Sequence, residues 1–507
     1  MIDKILILIG DLWLYFGIAQ SLKEKYDCEL FGISIADGNE KQYLKNQNLV
    51  NFKKIWFYPD YLEDKNKEPD MNYLIHFENK YRINLWKLIY GDRRLQKETQ
   101  RYYEFSRKEH LLILEQACRF FEDILNEVNP DFLITRATTS HHDHLLYSLC
   151  KALGIKIIML GRTRASFRVI LSENIDRLDE IDILNQKYSR SKTLEEVQNY
   201  IKKYNFKKQI VNFEPNYKVS KIEKIKAAFE FFTTSNPSNT HYINYGKSRT
   251  AILKQGLAIK HRFRKNKIKS FMDKNFLSSI KNEPFVYFPL HKEPERALDV
   301  GAPYYTDQKS IVKNIARSLP INFKLYVTEH PAQIILTTMW KRSTEYYQEM
   351  LDLPNVELVH PSVNTQEIIK KCSLVFTIGG SSALEATIYN KPSIILTDMD
   401  FVKISSIIKI DKIQDFPNAF KVALNQKVDP EELSEYIDMI QKNSIEIDKF
   451  KILKDFHTRF PYLGYLKESE LPPEKVKGFL DSHKDAFDKL ADLHIKKILR
   501  YKEIQIN

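Results

Sequence analysis

Apolar residues along the chain fall into short unbroken runs, set apart by stretches whose apolar positions recur at helical spacing. The first part carries KILILIG from Lys4, CELFGISI from Cys28, FKKIWFY from Phe52, DFLITR from Asp131 and GIKIIML from Gly154. The second part carries PFVYFPL from Pro284, FKLYVTEHP from Phe323, NVELVHP from Asn355, SLVFTIGG from Ser373 and KPSIIL from Lys391. Runs of this length alternating with amphipathic segments predict parallel strands buried on both faces and joined by right-handed helical crossovers. Helices are predicted from about Leu12 to Lys25, Asp143 to Leu153, Asp307 to Leu319 and Thr365 to Lys371, with another opening at SSALEATIYN. A helical insertion from about Tyr81 to Val128 interrupts the first part. After Pro472, Val476, Phe479, Leu480, Phe487, Leu490, Leu493 and Ile495 fit one or two helices packed on something.

The pattern places the chain in the α/β class, as two Rossmann-like domains facing a cleft, with a helical insertion and C-terminal helices. A length of 507 residues agrees, since a single core stops growing near roughly 250 to 300 residues. The expected division is 1–240 for the first domain, with its insertion at about 81–128, and 241–283 for a basic linker. Residues 284–470 form the second domain, and 471–507 are C-terminal helices that can pack back on the first.

Ligands of such sheets bind just beyond the carboxyl ends of the strands. Three of those ends in the second part carry polar punctuation: HKEPE, EHP and GGSS. In TIGGSSALEATIYN, Thr377 to Asn390, a buried strand stops at Gly379-Gly380 and a helix follows at once. A helix start offers unpaired N–H groups and the positive end of a dipole, which stabilise an anion such as phosphate. The competing account is a capping box, Ser382 with Glu385 three residues on, which needs no ligand. Both hold if Ser381 faces the ligand while Ser382 caps, with the glycines admitting the ligand to the backbone. If the cap does not consume it, Glu385 is an acceptor for ribose hydroxyls. His330 closes a strand before Pro331; its imidazole can stabilise charge on a departing phosphate, and Glu329 beside it can fix the ring or raise its pKa. His291 and Glu295 lie in a long polar loop of the kind that binds ligands.

In the first part TTSHHDHLL follows a strand. A metal reading of His141 and His144 lacks a third ligand. A helix start capped by Ser140, with Asp143 in the first turn, is the structural alternative. A third use is a general base facing the cleft, from His141, His142 or Asp143; Asp11 at the end of the first strand competes for it, and Asp37 reads equally well as a turn residue. The absence of GxGxxG after the first strand, GxxxxGK[ST] and GxSxG removes the main support for a dehydrogenase, P-loop NTPase or α/β-hydrolase.

A net charge of +12 is partly local: Lys247 to Lys269 holds nine Lys or Arg and no Asp or Glu. That run is either a solvated face or a surface for anionic lipid or glycan; without interleaved aromatics or a reading motif, nucleic acid is not expected. Four cysteines, Cys28, Cys118, Cys150 and Cys372, lie far apart, which fits a reducing cytoplasm rather than a zinc site or disulfide framework. No run is long enough to span a membrane, so any membrane contact would be peripheral.

FPLHKEPE, DQKSIVKNIARSLPINFKLYVTEHPAQ and TIGGSSALEATIYNKPSIIL, taken in order, resemble bacterial glycosyltransferases of the GT-B architecture that build capsular and other surface polysaccharides. The resemblance covers Phe288 to Leu396. It implies a nucleotide-sugar donor in the second lobe, an acceptor polysaccharide or glycolipid in the first, and no catalytic metal or resident cofactor. The His-Pro pair and the serine pair look like the donor-phosphate motifs of sialyltransferases and Kdo transferases that use CMP-activated sugars. On that resemblance His330, Ser381 and Ser382 hold the donor phosphate. The acidic base motif of sialyltransferases is represented only by Ala36-Asp37-Gly38, and no second glutamate accompanies Glu385 at the spacing other GT-B enzymes use. A nucleotide-sugar 2-epimerase on the same fold, and a non-catalytic polysaccharide-assembly protein, are the alternatives.

Overall fold

The computed structural model describes residues 2–10, 12–36, 38–62, 67–96, 104–166, 168–174, 177–183, 186–203, 260–335, 342–460 and 471–506. Thirteen strands among them form two sheets: β1 Asp3–Ile9, β2 Cys28–Ser34, β3 Phe52–Phe57, β4 Phe132–Arg136, β5 Lys156–Arg162, β6 Arg168–Ser172, β7 Phe285–Pro289, β8 Lys324–Thr328, β9 Val356–Val359, β10 Leu374–Thr377, β11 Ser393–Ile395, β12 Ile407–Lys409 and β13 Ile445–Glu446. The first sheet has the order β13-β6-β5-β4-β1-β2-β3 and the second β12-β11-β10-β7-β8-β9.

The ten predicted apolar runs are β1 to β5 and β7 to β11, all parallel to their neighbours within each run of the sheet. Strand alternation explains why they read as unbroken: in β1, Ile5, Ile7 and Ile9 enter one core, whereas Leu6 and Leu8 enter the core on the opposite face. Three strands escape the pattern. β6 turns back antiparallel to β5, β12 is a three-residue edge, and β13 brings a two-residue piece of the later chain to the edge of the first sheet.

The insertion is helical but begins earlier than its composition suggests, as Met71–Tyr81, Leu85–Gly91 and Arg107–Val128. Its apolar positions Phe77, Leu88, Ile113 and Phe120 cover the face of the first sheet that carries Leu6 and Leu8. The other face is covered by the C-terminal helices Pro473–Ser482 and Lys484–Ile506, through Phe479, Phe487, Leu490 and Ile498. Gly17 permits that packing, because a Cβ there would sit 2.6 Å from the Phe487 ring. Buried Lys497 is paired with Asp179 at 2.7 Å and with Asp182, tying the last helix to the segment after β6.

Of the basic run, residues 247–259 lie outside the described residues, and Lys260 onward begins a helix, Lys260–Asn275. Among the described residues, no helix is long and apolar enough to cross a membrane, and no group of three or more His, Cys, Asp or Glu could hold a metal ion.

Candidate functional site

Each sheet reverses its strand order once, between β4 and β1 in the first and between β10 and β7 in the second. Crossovers leave in opposite directions from such a point, so a crevice opens at the carboxyl ends of the two central strands. In the second sheet, His291 and Thr377 bridge that crevice, with Nε2 of the histidine 3.2 Å from the threonine Oγ1. The Gly380 N–H donates to the same Oγ1 at 3.2 Å. His291 is buried, and its Nδ1 lies 3.8 Å from a Glu295 carboxylate oxygen. Burial raises the Glu295 pKa, but hydrogen bonding and charge from His291, then charge from His330 and Lys292, outweigh it and leave the group lowered.

The two glycines have a reason internal to the protein. A Cβ on Gly379 would collide with the Thr397 hydroxyl, and one on Gly380 would lie 2.8 Å from Thr377 Oγ1 and 3.2 Å from Ser382 Oγ. Their sequence therefore reports tight packing at the strand end whether or not a ligand approaches. The capping box is also absent. The helix runs Ser382–Ile388 with Ser381 as its N-cap residue, and no side chain caps it. The Ser381 hydroxyl donates to Glu385 Oε1 at 3.3 Å, so Glu385 is engaged by Ser381 rather than by a cap on Ser382. Ser382 Oγ is buried and has no hydrogen-bond partner among the described residues.

At the end of β8 the expected link between Glu329 and the His330 ring is not made. Buried Glu329 accepts from the guanidinium of Arg342 and from the Tyr347 hydroxyl, and takes the His330 backbone N–H at 2.6 Å. Burial pushes the His330 pKa down to about 4, with the Glu295 charge only partly opposing, so the ring is neutral at neutral pH rather than raised by Glu329. The Ala332 N–H donates to His330 Nδ1 at 3.1 Å. That hydrogen bond places the ring proton on Nε2, which makes Nε2 a donor.

Arg342 is a residue that sequence reasoning missed. Besides Glu329, its Nη2 donates to the His291 carbonyl at 2.6 Å and to Glu293 at 3.0 Å. Gln308 accepts the His291 N–H at 2.6 Å and donates to the His291 carbonyl at 3.1 Å. One guanidinium and one amide thus hold the loops that present His291 and His330. No periodicity points to such a residue, because its value lies in partners contributed by other loops.

At the crevice of the first sheet, the Arg136 guanidinium lies against Gly10, where a Cβ would come within 2.8 Å of it. Asp11 and Asp37 lie outside the described residues. Asp143 is 1 % exposed, and its carboxylate accepts from Arg136 Nε at 3.3 Å and from Thr139 Oγ1 at 3.2 Å. Burial alone would raise its pKa, but the charges of His142 and Arg136 hold it well below the usual carboxylate range. His142 is also 1 % exposed, with Nε2 3.1 Å from Asp143 Oδ1, and burial lowers its pKa to about 4. Neither side chain is open to a substrate. His141 is likewise internal, linking Asp92 at 2.9 Å to the Tyr58 hydroxyl at 2.8 Å.

Of the histidines and aspartate in this segment, His144 lines a cavity. A cavity of about 460 Å³ between the two halves is lined by Thr138, His144, Arg164 and Arg177 on one side and by Arg296 and Gly379 on the other. Arg296 Nε donates across it to the Thr138 carbonyl at 3.1 Å. Among the residues that line it, Lys87, Arg164, Arg177, Arg296 and Lys409 outnumber two aspartates, Asp398 and Asp411, which pair with Lys409 at 2.8 and 3.0 Å. Burial pushes His144 down to about 4, helped by the charges of Lys87 and Arg296.

Residues 188–399 match the family model described as capsule polysaccharide biosynthesis protein. The matched segment takes in β7 to β11 with His291, His330 and the glycine–serine turn. No match was found among curated proteins. Among solved structures, the UDP-GlcNAc 2-epimerase from Methanocaldococcus jannaschii is 14 % identical over 86 % of this chain and 98 % of that one, with a TM-score of 0.25. The beta Kdo 2,7 transferase of Thermosulfurimonas dismutans KpsC is 13 % identical over 74 % of this chain and 97 % of that one, at 0.30. Its beta Kdo 2,4 transferase is 9 % identical over 61 % and 79 %, at 0.29. Superpositions as loose as these three decide nothing about the chemistry.

Proposed function

From a segment of the capsule polysaccharide biosynthesis family set beside a positive cavity at the carboxyl ends of two Rossmann-like sheets, we propose that the protein is a glycosyltransferase. It moves a sugar from a CMP- or UDP-activated donor to a growing surface polysaccharide or glycolipid. The observation that carries the reading is the meeting of the two sheets' strand ends at one cavity, where a donor held by one half faces an acceptor held by the other.

In this reading the donor phosphate lies against the Gly379–Ser381 turn that precedes helix Ser382–Ile388, where Gly379 lines the cavity. His330 donates from Nε2 to a phosphate oxygen as negative charge grows on the leaving nucleotide, and Arg296 adds a fixed positive charge. His291 and Glu295 orient the donor. On the other wall, neutral His144 accepts a hydrogen bond from the attacking hydroxyl and takes its proton as the new glycosidic bond forms. It replaces His142 and Asp143, whose burial denies them that contact. The basic segment 247–269 is proposed to hold the protein near anionic lipid.

A thermal-shift series with CMP, UDP, GDP and their sugars tests the reading, since a ligand that binds the folded state raises its melting temperature. A shift with one nucleotide family supports it, and that family's sugars then serve as donors. No shift at millimolar concentration with any of them would sink it. Interconversion of a nucleotide sugar without an acceptor would favour the epimerase instead.

A further inference from the structure

Beside the cavity stand side chains that bond exchange within it does not require. Helix Leu85–Gly91, from the insertion, packs against Arg296–Asp299 and Pro303–Tyr305 of the other half. On it, Trp86 and Tyr90 are four residues apart and Lys87 and Tyr90 three apart, so the three share one side of the helix. Lys87 lines the cavity. Trp86 is 38 % exposed and Tyr90 69 %. In the Pro303–Tyr305 turn packed against this helix, Tyr304 lines the cavity and is 87 % exposed.

Single exposed apolar side chains are ordinary; several large aromatics on neighbouring elements beside one cavity mark a binding surface. Aromatic rings present flat apolar faces with polar edges. A pyranose matches them, because its axial C–H groups form an apolar face while its hydroxyls stay in water. A lipid tail would need a continuous apolar surface, which Lys87 interrupts.

The rim is also pre-ordered. Asp92, which ends the helix, is wholly buried and accepts the His141 backbone N–H at 3.0 Å, its Nδ1–H at 2.9 Å and Arg94 Nε–H at 3.0 Å. His141 begins the helix that presents His144 to the cavity. One buried network therefore sets the spacing between the aromatic rim and the proposed base, and a rigid surface loses little entropy on binding a flexible chain.

We propose that Trp86, Tyr90 and Tyr304 form an acceptor subsite that holds an oligosaccharide at least two sugars long, stacked outside the cavity with its terminal hydroxyl directed at His144. The proposal rests on the glycosyltransferase reading. The test sets the full chain, W86A/Y90A and Y304A on an array of bacterial polysaccharides and defined oligosaccharides. It is run alongside CMP and UDP thermal shifts and sedimentation with phosphatidylglycerol vesicles. The expected result is binding to at least one glycan, weakened about ten-fold or more in each variant, with the nucleotide shift of W86A/Y90A equal to that of the parent. Glycan binding unchanged in the variants overturns the subsite. So does a nucleotide shift with no glycan bound, and so does vesicle binding lost in W86A/Y90A without any glycan binding, which would make the rim a membrane contact. Glycan binding lost in the variants with no nucleotide shift keeps the subsite and removes the glycosyltransferase reading. Silence in every arm removes both.

Discussion

At the residue scale, His330 owes its proposed role to a single backbone contact. The Ala332 N–H occupies Nδ1, so the neutral ring carries its proton on Nε2 and can act only as a donor there. His330→Ala is expected to lower kcat by roughly 10²- to 10⁴-fold, with a melting temperature close to that of the parent. His330→Gln, which keeps a donor near the same place, should recover part of the loss. Transfer assayed with the nucleotide sugar selected by thermal shift measures both, and a fully active alanine variant would remove His330 from the mechanism. Gly379 supports a different kind of prediction. Because an added Cβ meets the Thr397 hydroxyl, Gly379→Ala should destabilise by ~1–3 kcal/mol. Thr397→Ala in the same chain should restore much of that, a coupling read from a double-mutant cycle of urea midpoints. If the double variant is no better than the sum of the singles, the glycine serves something other than packing.

At the element scale, strand ends were legible and side-chain directions were not. Unbroken apolar runs locate where strands stop, so His291, His330 and Gly379-Gly380 could be placed at carboxyl ends without any structure. The phase of a helix is more fragile. Successive residues lie about 100° apart around the axis, and which of His141, His142, Asp143 and His144 meets open space is decided by what packs on each side of the helix. The observed helix, His141–Ala152, buries His142 and Asp143 and presents His144. Arg342 was beyond reach for another reason: its meaning lies in Glu293, Glu329 and the His291 carbonyl, which only the fold assembles. The same holds for β13, whose two residues become a strand only against β6. Arg342 and Glu329 are both buried, so Arg342→Met strands a carboxylate away from water and should destabilise by ~3–5 kcal/mol. Pairing it with Glu329→Gln should recover part of that stability. Activity should stay low in the pair, because the loops carrying His291 and His330 lose their shared anchor. Full activity in a stable double variant would show that the clamp serves folding alone.

At the scale of the whole molecule, the histidines make stability depend on pH. His142, His144, His330 and His494 are each lowered to about 4, with burial the largest cause in every case. His494 is wholly buried; its Nδ1–H donates to the Leu490 carbonyl at 2.7 Å and its Nε2 has no partner among the described residues. Above the unfolded value of about 6.5 the folded and unfolded chains bind the same number of protons on these rings, so folding pays nothing for them. Below it the unfolded chain gains protons that the folded chain refuses, and stability falls continuously until pH reaches about 4. Asp143 does not offset this loss, since its carboxylate stays ionised in the folded chain throughout that interval. The stability read from urea unfolding should therefore drop between pH 7 and pH 5, by up to ~2 kcal/mol for each fully buried histidine. His494→Leu isolates one contribution from a residue that does not line the cavity. It should shallow the drop while leaving nucleotide-induced thermal shifts at pH 7 as they are. An unchanged slope would mean that the ring reaches water when protonated, and that the last helix, which seals one face of the first sheet, opens more readily than its packing implies.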